Sequence, residues 1–217
     1  MNRSADIDAF LQATGWDVAQ RAPLAGDAGN RKYERLTHPK KGPAILMDAD
    51  PVSGEDIQPF LNIAAHLKRC DLSAPKIYGA NHSLGLILLE DFGDQLLFNV
   101  ANATPELEYP LYKLCLDALA RLHQRPPPPN VGSYFPQAMA WAAEITLPWY
   151  CSPSLVATIA TELRQHLDSL DWTHPVLVLR DYHAQNVVYR PEQSGLAQIG
   201  LLDFQDAELG HPLYDAA

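Results

Sequence analysis

The stretch Leu179–Asn186 reads LRDYHAQN and directly continues the apolar, β-branched run 176–179. Such a run predicts a buried strand, so Asp181 lies where the chain leaves the core. Asn186 comes five residues after Asp181, immediately before a second apolar, extended run at 187–189. We therefore expect a tight loop that brings Asp181 and Asn186 to the same side of the fold.

A second carboxylate, Asp203, follows another apolar segment, 199–202. If the two strand ends are adjacent, Asn186 and Asp203 can offer oxygen ligands to one hard cation. Asp181 is then left to accept a proton or orient a hydroxyl. These are the parts that magnesium-dependent phosphoryl transfer requires. For any single one of these residues, the preference of Asp and Asn for turns is as good an explanation as a catalytic role. It does not explain the three residues together.

Composition narrows the class of protein. The chain has 217 residues, 47% hydrophobic and 19% charged, which predicts a globular fold with one large or two small cores. Its formal net charge of -10 argues against a nucleic-acid partner. Without a long apolar run or an apolar N-terminus, we expect no membrane span and no signal peptide. An odd set of three cysteines without metal-ligand spacing indicates reduced thiols and a cytoplasmic location, and the oligomeric state is left open.

The first part of the chain predicts a small sheet with one main helix. Periodicity indicates a short helix over 4–14 with Ser4 as its cap, and a helix over about 55–69. Extended runs are expected at 16–24, 30–36, 43–48, 76–78 and 84–89. The glycine-rich segment between the first two runs allows backbone amides to approach a phosphate, although a hairpin turn explains the glycines equally well.

After residue 90 the chain becomes mainly helical. Helices are predicted over 107–122, 137–149 and 153–170, with the proline run 126–129 as a rigid connector. We therefore expect an α+β fold with two parts, residues 1–90 and residues 91–217.

LRDYHAQN, followed at 201–215 by LLDFQDAELGHPLYD, resembles the aminoglycoside phosphotransferase/choline kinase-like family. GDAGNRKYERL at 26–36, AILMDADP at 44–51 and LLEDFGD at 88–94 are similar to the family's phosphate loop, third strand and hinge. Within the family, this combination is most similar to the bacterial N-acetylmuramate/N-acetylglucosamine anomeric kinases.

The resemblance implies a protein kinase-like bilobal fold that uses ATP and Mg²⁺ to phosphorylate an amino sugar in peptidoglycan recycling. It implies that Asp181 is the catalytic base and that Asn186 and Asp203 bind the metal. It also implies that Asp215 braces the loop from the side away from the substrate. The remaining expected positions are Gly26, Asp27, Gly29, Asn30, Arg31 and Lys32 over the phosphates, Glu90 at the hinge, and Arg180, His183, Gln205 and Asp206 beside the substrate.

The sequence also departs from the family's pattern. Met47 occupies the position of the phosphate-pairing Lys, so the cation is expected from Arg31 or Lys32, and Arg180 stands where the family usually has Gly. The chain stops at Ala217, where the family usually continues with helices that wall the acceptor pocket, so both a fragment and a shortened member stay open. An aminoglycoside or amino-alcohol kinase and a catalytically silent nucleotide-binding module are the alternative functions.

Overall fold

The structure is a computed structural model that describes residues 2–24 and 30–217. Its N-terminal part contains a five-stranded antiparallel sheet in the order β1-β2-β3-β5-β4. The elements are α1 (Arg3–Thr14), β1 (Gln20–Pro23), β2 (Lys32–His38), β3 (Gly42–Asp48), α2 (Gln58–Arg69), β4 (Ile77–Asn81) and β5 (Leu86–Glu90).

The two faces of this sheet pack against different helices, because side chains alternate along each strand. Leu36, Leu46 and Leu88 face α1 and share a core with Phe10 and Leu11 of that helix. The opposite face carries Met47, which is 1% exposed, together with Ile87 and Leu89, and packs against α2. The predicted sheet with one main helix is thus present, with α1 covering its other side.

Two helix starts differ from the sequence-based expectation. The Asn2 side chain accepts a hydrogen bond from the Ser4 amide (3.2 Å), so Asn2 caps α1 and Ser4 lies inside it. α2 begins at Gln58 rather than near residue 55, since Asp56 Oδ1 accepts from the Gln58 amide (2.8 Å). Glu55 consequently lies outside the helix, in the segment ahead of it.

The C-terminal part is mainly helical, with two small antiparallel strand pairs, β6 with β9 and β7 with β8. Its elements are α3 (Leu97–Ala103), α4 (Glu108–His123), α5 (Pro136–Thr146), α6 (Pro153–Asp168), β6 (Val176–Val178), β7 (Val187–Tyr189), β8 (Ile199–Leu201) and β9 (Glu208–Gly210). The sequence did not predict α3 and β9. A 3-10 turn follows α5 at Leu147–Trp149, so the helix is shorter than expected.

One hydrophobic core joins the sheet to the helical part. It contains Met47 and Ile87 of the sheet, Phe60 of α2, and Leu201 and Phe204 beside the last strands. The rings of Phe60 and Phe204 stack with their centroids 4.8 Å apart. The α+β class is confirmed, while a boundary at residue 90 stays a prediction. Within the described ranges, no helix is long and apolar enough to cross a membrane.

Candidate active site

The segment after β6 forms the expected tight loop. The His183 amide donates to the Asp181 carbonyl (3.0 Å), and the Asn186 amide donates to the His183 carbonyl (2.8 Å). Asn186 Nδ2 also donates to the Asp181 carbonyl (3.0 Å). Asp181 itself is exposed. The loop is therefore fixed by its own hydrogen bonds, with Asp181 accessible to a reactant.

The β7–β8 pair brings Asn186 and Asp203 to one end of a hairpin. Val187 lies opposite Leu201, and the Leu202 amide donates to the Asn186 carbonyl (2.9 Å). The backbone of Asp203 adopts the left-handed conformation (φ 53°), which is uncommon for a residue with a side chain. Gln205 Nε2 donates to Asp203 Oδ1 (2.6 Å) and orients that carboxylate.

These two residues form a donor set suited to a hard cation. Magnesium binds in proteins through one or two side-chain oxygens together with substrate phosphates. Asn186 contributes a carboxamide oxygen and Asp203 a carboxylate, and both line the same cavity. Among the described residues, no group of three or more His, Cys, Asp and Glu side chains forms a metal cluster. A magnesium ion held by these two side chains would take its other ligands from water and from the phosphates of a substrate.

Asp215 forms hydrogen bonds with the backbone at the start of the loop. Its carboxylate accepts hydrogen bonds from the amides of Leu179 (2.6 Å) and Arg180 (2.9 Å). Burial raises the pKa of Asp215, and the two amide hydrogen bonds oppose that shift. Asp215 therefore contacts the backbone at the start of the loop, and the bracing role that the resemblance implies for it stays a prediction.

The expected substrate-side residues are not all in one place. Arg180, Gln205 and Asp206 line a cavity of about 300 Å³ beside α2 and residues 129–132, whereas Asp181 does not line it. His183 lies instead in the loop, with Nε2 3.3 Å from Asn186 Nδ2. Arg180 is left-handed (φ 72°) and donates to Glu208 Oε2 (3.1 Å). Its guanidinium also stacks over the ring of Tyr134, 4.4 Å from the centroid.

A larger cavity of about 610 Å³ lies between the sheet and the catalytic loop. Tyr33 and Ile45 of the sheet, the segment 89–94, and the pair Asn186 and Asp203 contribute to its walls. Glu90 does line this cavity, but its carboxylate accepts from Arg190 Nη2 (3.1 Å) and the Lys76 amide (3.1 Å). Its side chain therefore braces the connecting segment.

The residues predicted to cover phosphates are only partly described. Gly26, Asp27 and Gly29 lie outside the described residues. Asn30 is exposed, with Nδ2 3.5 Å from the Ser53 carbonyl. Arg31 Nε donates to Glu55 Oε2 (2.9 Å), and Arg31 Nη1 lies 4.0 Å from Asp203 Oδ1.

Burial disfavours the charged form of Arg31, but the hydrogen bond with Glu55 and neighbouring negative charge leave its pKa raised. Lys32 is exposed on the opposite face of β2, and the structure does not bring it to the cavity.

Sequence reasoning missed Arg35, which lines this cavity, and Arg190, which pairs with Glu90 in the cavity wall. Arg35 lines the cavity and forms hydrogen bonds with both carboxylate oxygens of Asp94 (2.9 and 2.7 Å). The spacing of Tyr33 and Arg35 along β2 was a usable signal, because alternate residues of a strand share a face. The partners of Glu55 and Arg190 depend on tertiary contacts over long sequence separations, for which the sequence contains no local signal.

Comparison with solved structures identifies the class of fold. A GDP complex of an aminoglycoside 2′-phosphotransferase-IIIa mutant superposes with a TM-score of 0.69 at 14% identity, covering 97% of this chain and 74% of that one. A choline kinase from Streptococcus pneumoniae gives a TM-score of 0.71 at 14% identity, covering 99% and 73%. The fold is that of the kinase-like phosphotransferases.

The chain belongs to the phosphotransferase enzyme family, whose sequence profile matches residues 20–217. A relative named N-acetylmuramate/N-acetylglucosamine kinase, from Caulobacter vibrioides, is 31% identical over 98% of this chain and 70% of its own length. A protein of the same name from Pseudomonas putida is 30% identical over 88% of this chain and 56% of its own length. The chain thus spans between about half and about two thirds of the length of these relatives.

Proposed function

We propose that the protein is an ATP-dependent kinase that phosphorylates a sugar hydroxyl, namely the anomeric C1 hydroxyl of N-acetylmuramate or N-acetylglucosamine, in cytoplasmic cell-wall recycling. The observation that carries the proposal is the hairpin end that presents Asn186 and Asp203 to the 610 Å³ cavity, with the exposed residue Asp181 in the same loop as Asn186. The names of the Caulobacter and Pseudomonas relatives support the choice of amino sugar.

In this mechanism the adenine lies against the segment that follows Glu90, and the phosphates point toward Asn186 and Asp203. Asn186 and Asp203 would hold Mg²⁺, which would supply positive charge to the phosphates when bound. Asp181 orients the acceptor hydroxyl for in-line attack and accepts its proton. Asp215 keeps the loop in place through the Leu179 and Arg180 amides. Catalysis rests mainly on positioning and charge stabilisation.

The acceptor residues are assigned by their position beside the loop. His183 contacts Asn186 from within the same loop. Gln205 and Asp206 reach the smaller cavity together with Arg180. We assign these four residues to the neighbourhood of the sugar.

A substrate panel tests the proposed function. ATP consumption is measured with N-acetylmuramate, N-acetylglucosamine, choline and kanamycin as acceptors. We expect turnover with the two amino sugars and a matching loss of reducing ends, because phosphorylation at C1 blocks the reducing end. Turnover only with choline or kanamycin would assign the site to a cationic acceptor. Nucleotide binding without turnover of any acceptor would identify a silent module.

Asp181→Asn tests the assignment of the catalytic base. The variant keeps the size of the side chain and removes its ability to accept a proton, so we expect kcat to fall by about 10²-fold or more. Nucleotide affinity should stay within about twofold, because the Asp181 carboxylate is assigned to the acceptor. Unchanged turnover in this variant would exclude Asp181 as the base.

A further inference from the structure

The cleft of this protein needs a cation for the phosphates of a nucleotide, and most nearby arginines are already engaged elsewhere. Arg35 is held by the connecting segment through Asp91 and Asp94. Arg190 is held by Glu90. Arg180 is paired with Glu208 on β9. Each of these contacts stabilises the walls of the cleft.

Arg31 differs because its ion-pair partners include the metal-ligand candidate. Its guanidinium lies 4.0 Å from Asp203 Oδ1, and its side chain is 18% exposed. The negative charge of Asp206 also acts on it. Asp203 and Gln205 line the larger cavity, while Gln205 and Asp206 line the smaller one. Arg31 therefore lies within ion-pair distance of Asp203, a residue that lines the larger cavity.

The alternation of side chains along β2 favours Arg31, which directly precedes the strand, over Lys32 as the cation on the cavity side. Tyr33 and Arg35 line the larger cavity. Arg31 lies two residues before Tyr33, so the alternation of side chains favours the same face for it. Lys32 lies on the same face of β2 as Leu36, and Leu36 is buried on the α1 side of the sheet. Met47 on β3 is buried and carries no charge.

Glu55 determines where the Arg31 side chain points. It lies just ahead of α2, and Glu55 Oε2 accepts from Arg31 Nε at 2.9 Å, whereas Asp203 is 4.0 Å away. An arginine without a nearer partner would form its direct ion pair with Asp203 and compete with a metal for that carboxylate. The nearer carboxylate of Glu55 thus holds Arg31 close to Asp203, at a separation of 4.0 Å from Oδ1.

We propose that Arg31, held by Glu55, is the cation that contacts the terminal phosphates of the nucleotide, and that Glu55 is a positioning residue that keeps Arg31 off Asp203. The inference rests on the proposed function for the nucleotide and adds the source of the cation. Arg31 gives the site its preference for a triphosphate over the bare nucleoside.

The test is calorimetric binding of ATP and of adenosine in the presence of Mg²⁺. In Arg31→Gln we expect affinity for ATP to fall by at least about tenfold, because hydrogen bonds to charged groups contribute this much. Affinity for adenosine should stay within about twofold. Arg21→Gln is the matched control, because Arg21 forms a comparable ion pair with Glu34 (2.6 Å) in the same sheet but outside the cleft.

Glu55→Gln separates the positioning role from simple loss of charge. Once Glu55 is neutral, Arg31 can pair with Asp203, so we expect a several-fold higher Mg²⁺ concentration for half-maximal ATP binding. Arg31→Lys should recover part of the ATP affinity that Arg31→Gln loses, and it replaces that variant if Arg31→Gln does not fold.

The outcomes are distinct. Wild-type ATP affinity in folded Arg31→Gln, or an equal loss for ATP and adenosine, overturns the assignment of Arg31 to the phosphates. An unchanged Mg²⁺ requirement in Glu55→Gln overturns the positioning role. If the wild-type chain phosphorylates no acceptor but binds ATP in an Arg31-dependent way, the proposed function fails and this inference stands.

Discussion

At the scale of single residues, Arg180 and Asp203 are held in left-handed backbone conformations (φ 72° and 53°). This conformation costs about 1 kcal/mol for a residue with a side chain, and it persists when the surrounding contacts stabilise it. Both residues lie next to groups with assigned roles, since Arg180 precedes Asp181 and Asp203 itself faces the cavity. The family resemblance places a glycine at the position of Arg180, which agrees with the backbone angle found here.

Arg180→Gly and Arg180→Ala should therefore differ in stability. Both lose the contacts with Glu208 and Tyr134, but only glycine adopts a positive φ without strain. We expect the glycine variant to be about 1 kcal/mol more stable than the alanine variant in urea unfolding. Equal stability of the two variants would contradict a strained backbone at Arg180.

At the scale of elements, the β7–β8 hairpin supports the segment that forms the wall of the larger cavity. Arg190 at the end of β7 pairs with Glu90 and stacks on the ring of Phe92, 4.1 Å from its centroid. Phe92 in turn covers Gly200 of β8. The hairpin that presents Asn186 to the cavity thus also fixes the opposite wall.

α3 has a similar role for the catalytic loop, because the Phe98 amide donates to the Ala184 carbonyl (3.0 Å). The sequence did not reveal this helix, which is short and has one fully buried residue, Leu97. Its main consequence is a single hydrogen bond to a distant loop, and no local pattern reports such a contact.

Gly200→Ala tests whether the packing of Phe92 on β8 supports this wall of the larger cavity. A methyl group at Gly200 would lie 2.7 Å from Phe92 Cδ2, so Phe92 must move. We expect a loss of about 1–3 kcal/mol in stability, and a decrease on the order of tenfold in affinity for adenosine. In Gly79→Ala the methyl group would lie 2.8 Å from Thr14 Cγ2, on the α1 side of the sheet. That control should lose stability and keep its nucleotide affinity, and equal affinities in the two variants would contradict the role of Gly200.

At the scale of the whole molecule, the sequence predicted what depends on local pattern. The apolar runs located β6, β7 and β8, and the spacing of Asp181 and Asn186 correctly indicated a closed loop between strands. β9 reads Glu-Leu-Gly, with one large apolar residue, so no apolar run marks it as a strand. Asn2 and Ser4 are both good capping residues, and the choice between them depends on the backbone at the first turn. The pairing of Arg31 with Glu55 requires the sheet and the segment ahead of α2 to be placed together.

The shared core predicts that the sheet and the helical part unfold together. Phe204 is 1% exposed and stacks on Phe60 of α2, so it connects both parts within the core. We expect Phe204→Ala to cost about 3–5 kcal/mol. Amide hydrogen exchange should show an equal loss of protection in β3 and in β7, because one cooperative unit opens.

Phe98→Ala provides the matched control for this experiment. Phe98 is 47% exposed on α3, so its truncation should change stability by less than about 0.5 kcal/mol. If Phe204→Ala lowers protection in β7 and leaves β3 unchanged, the two parts unfold separately. The contact between Phe60 and Phe204 would then be an interface between two units. Equal loss would instead mean that the position of Asp203, next to Phe204, depends on the packing of the whole molecule.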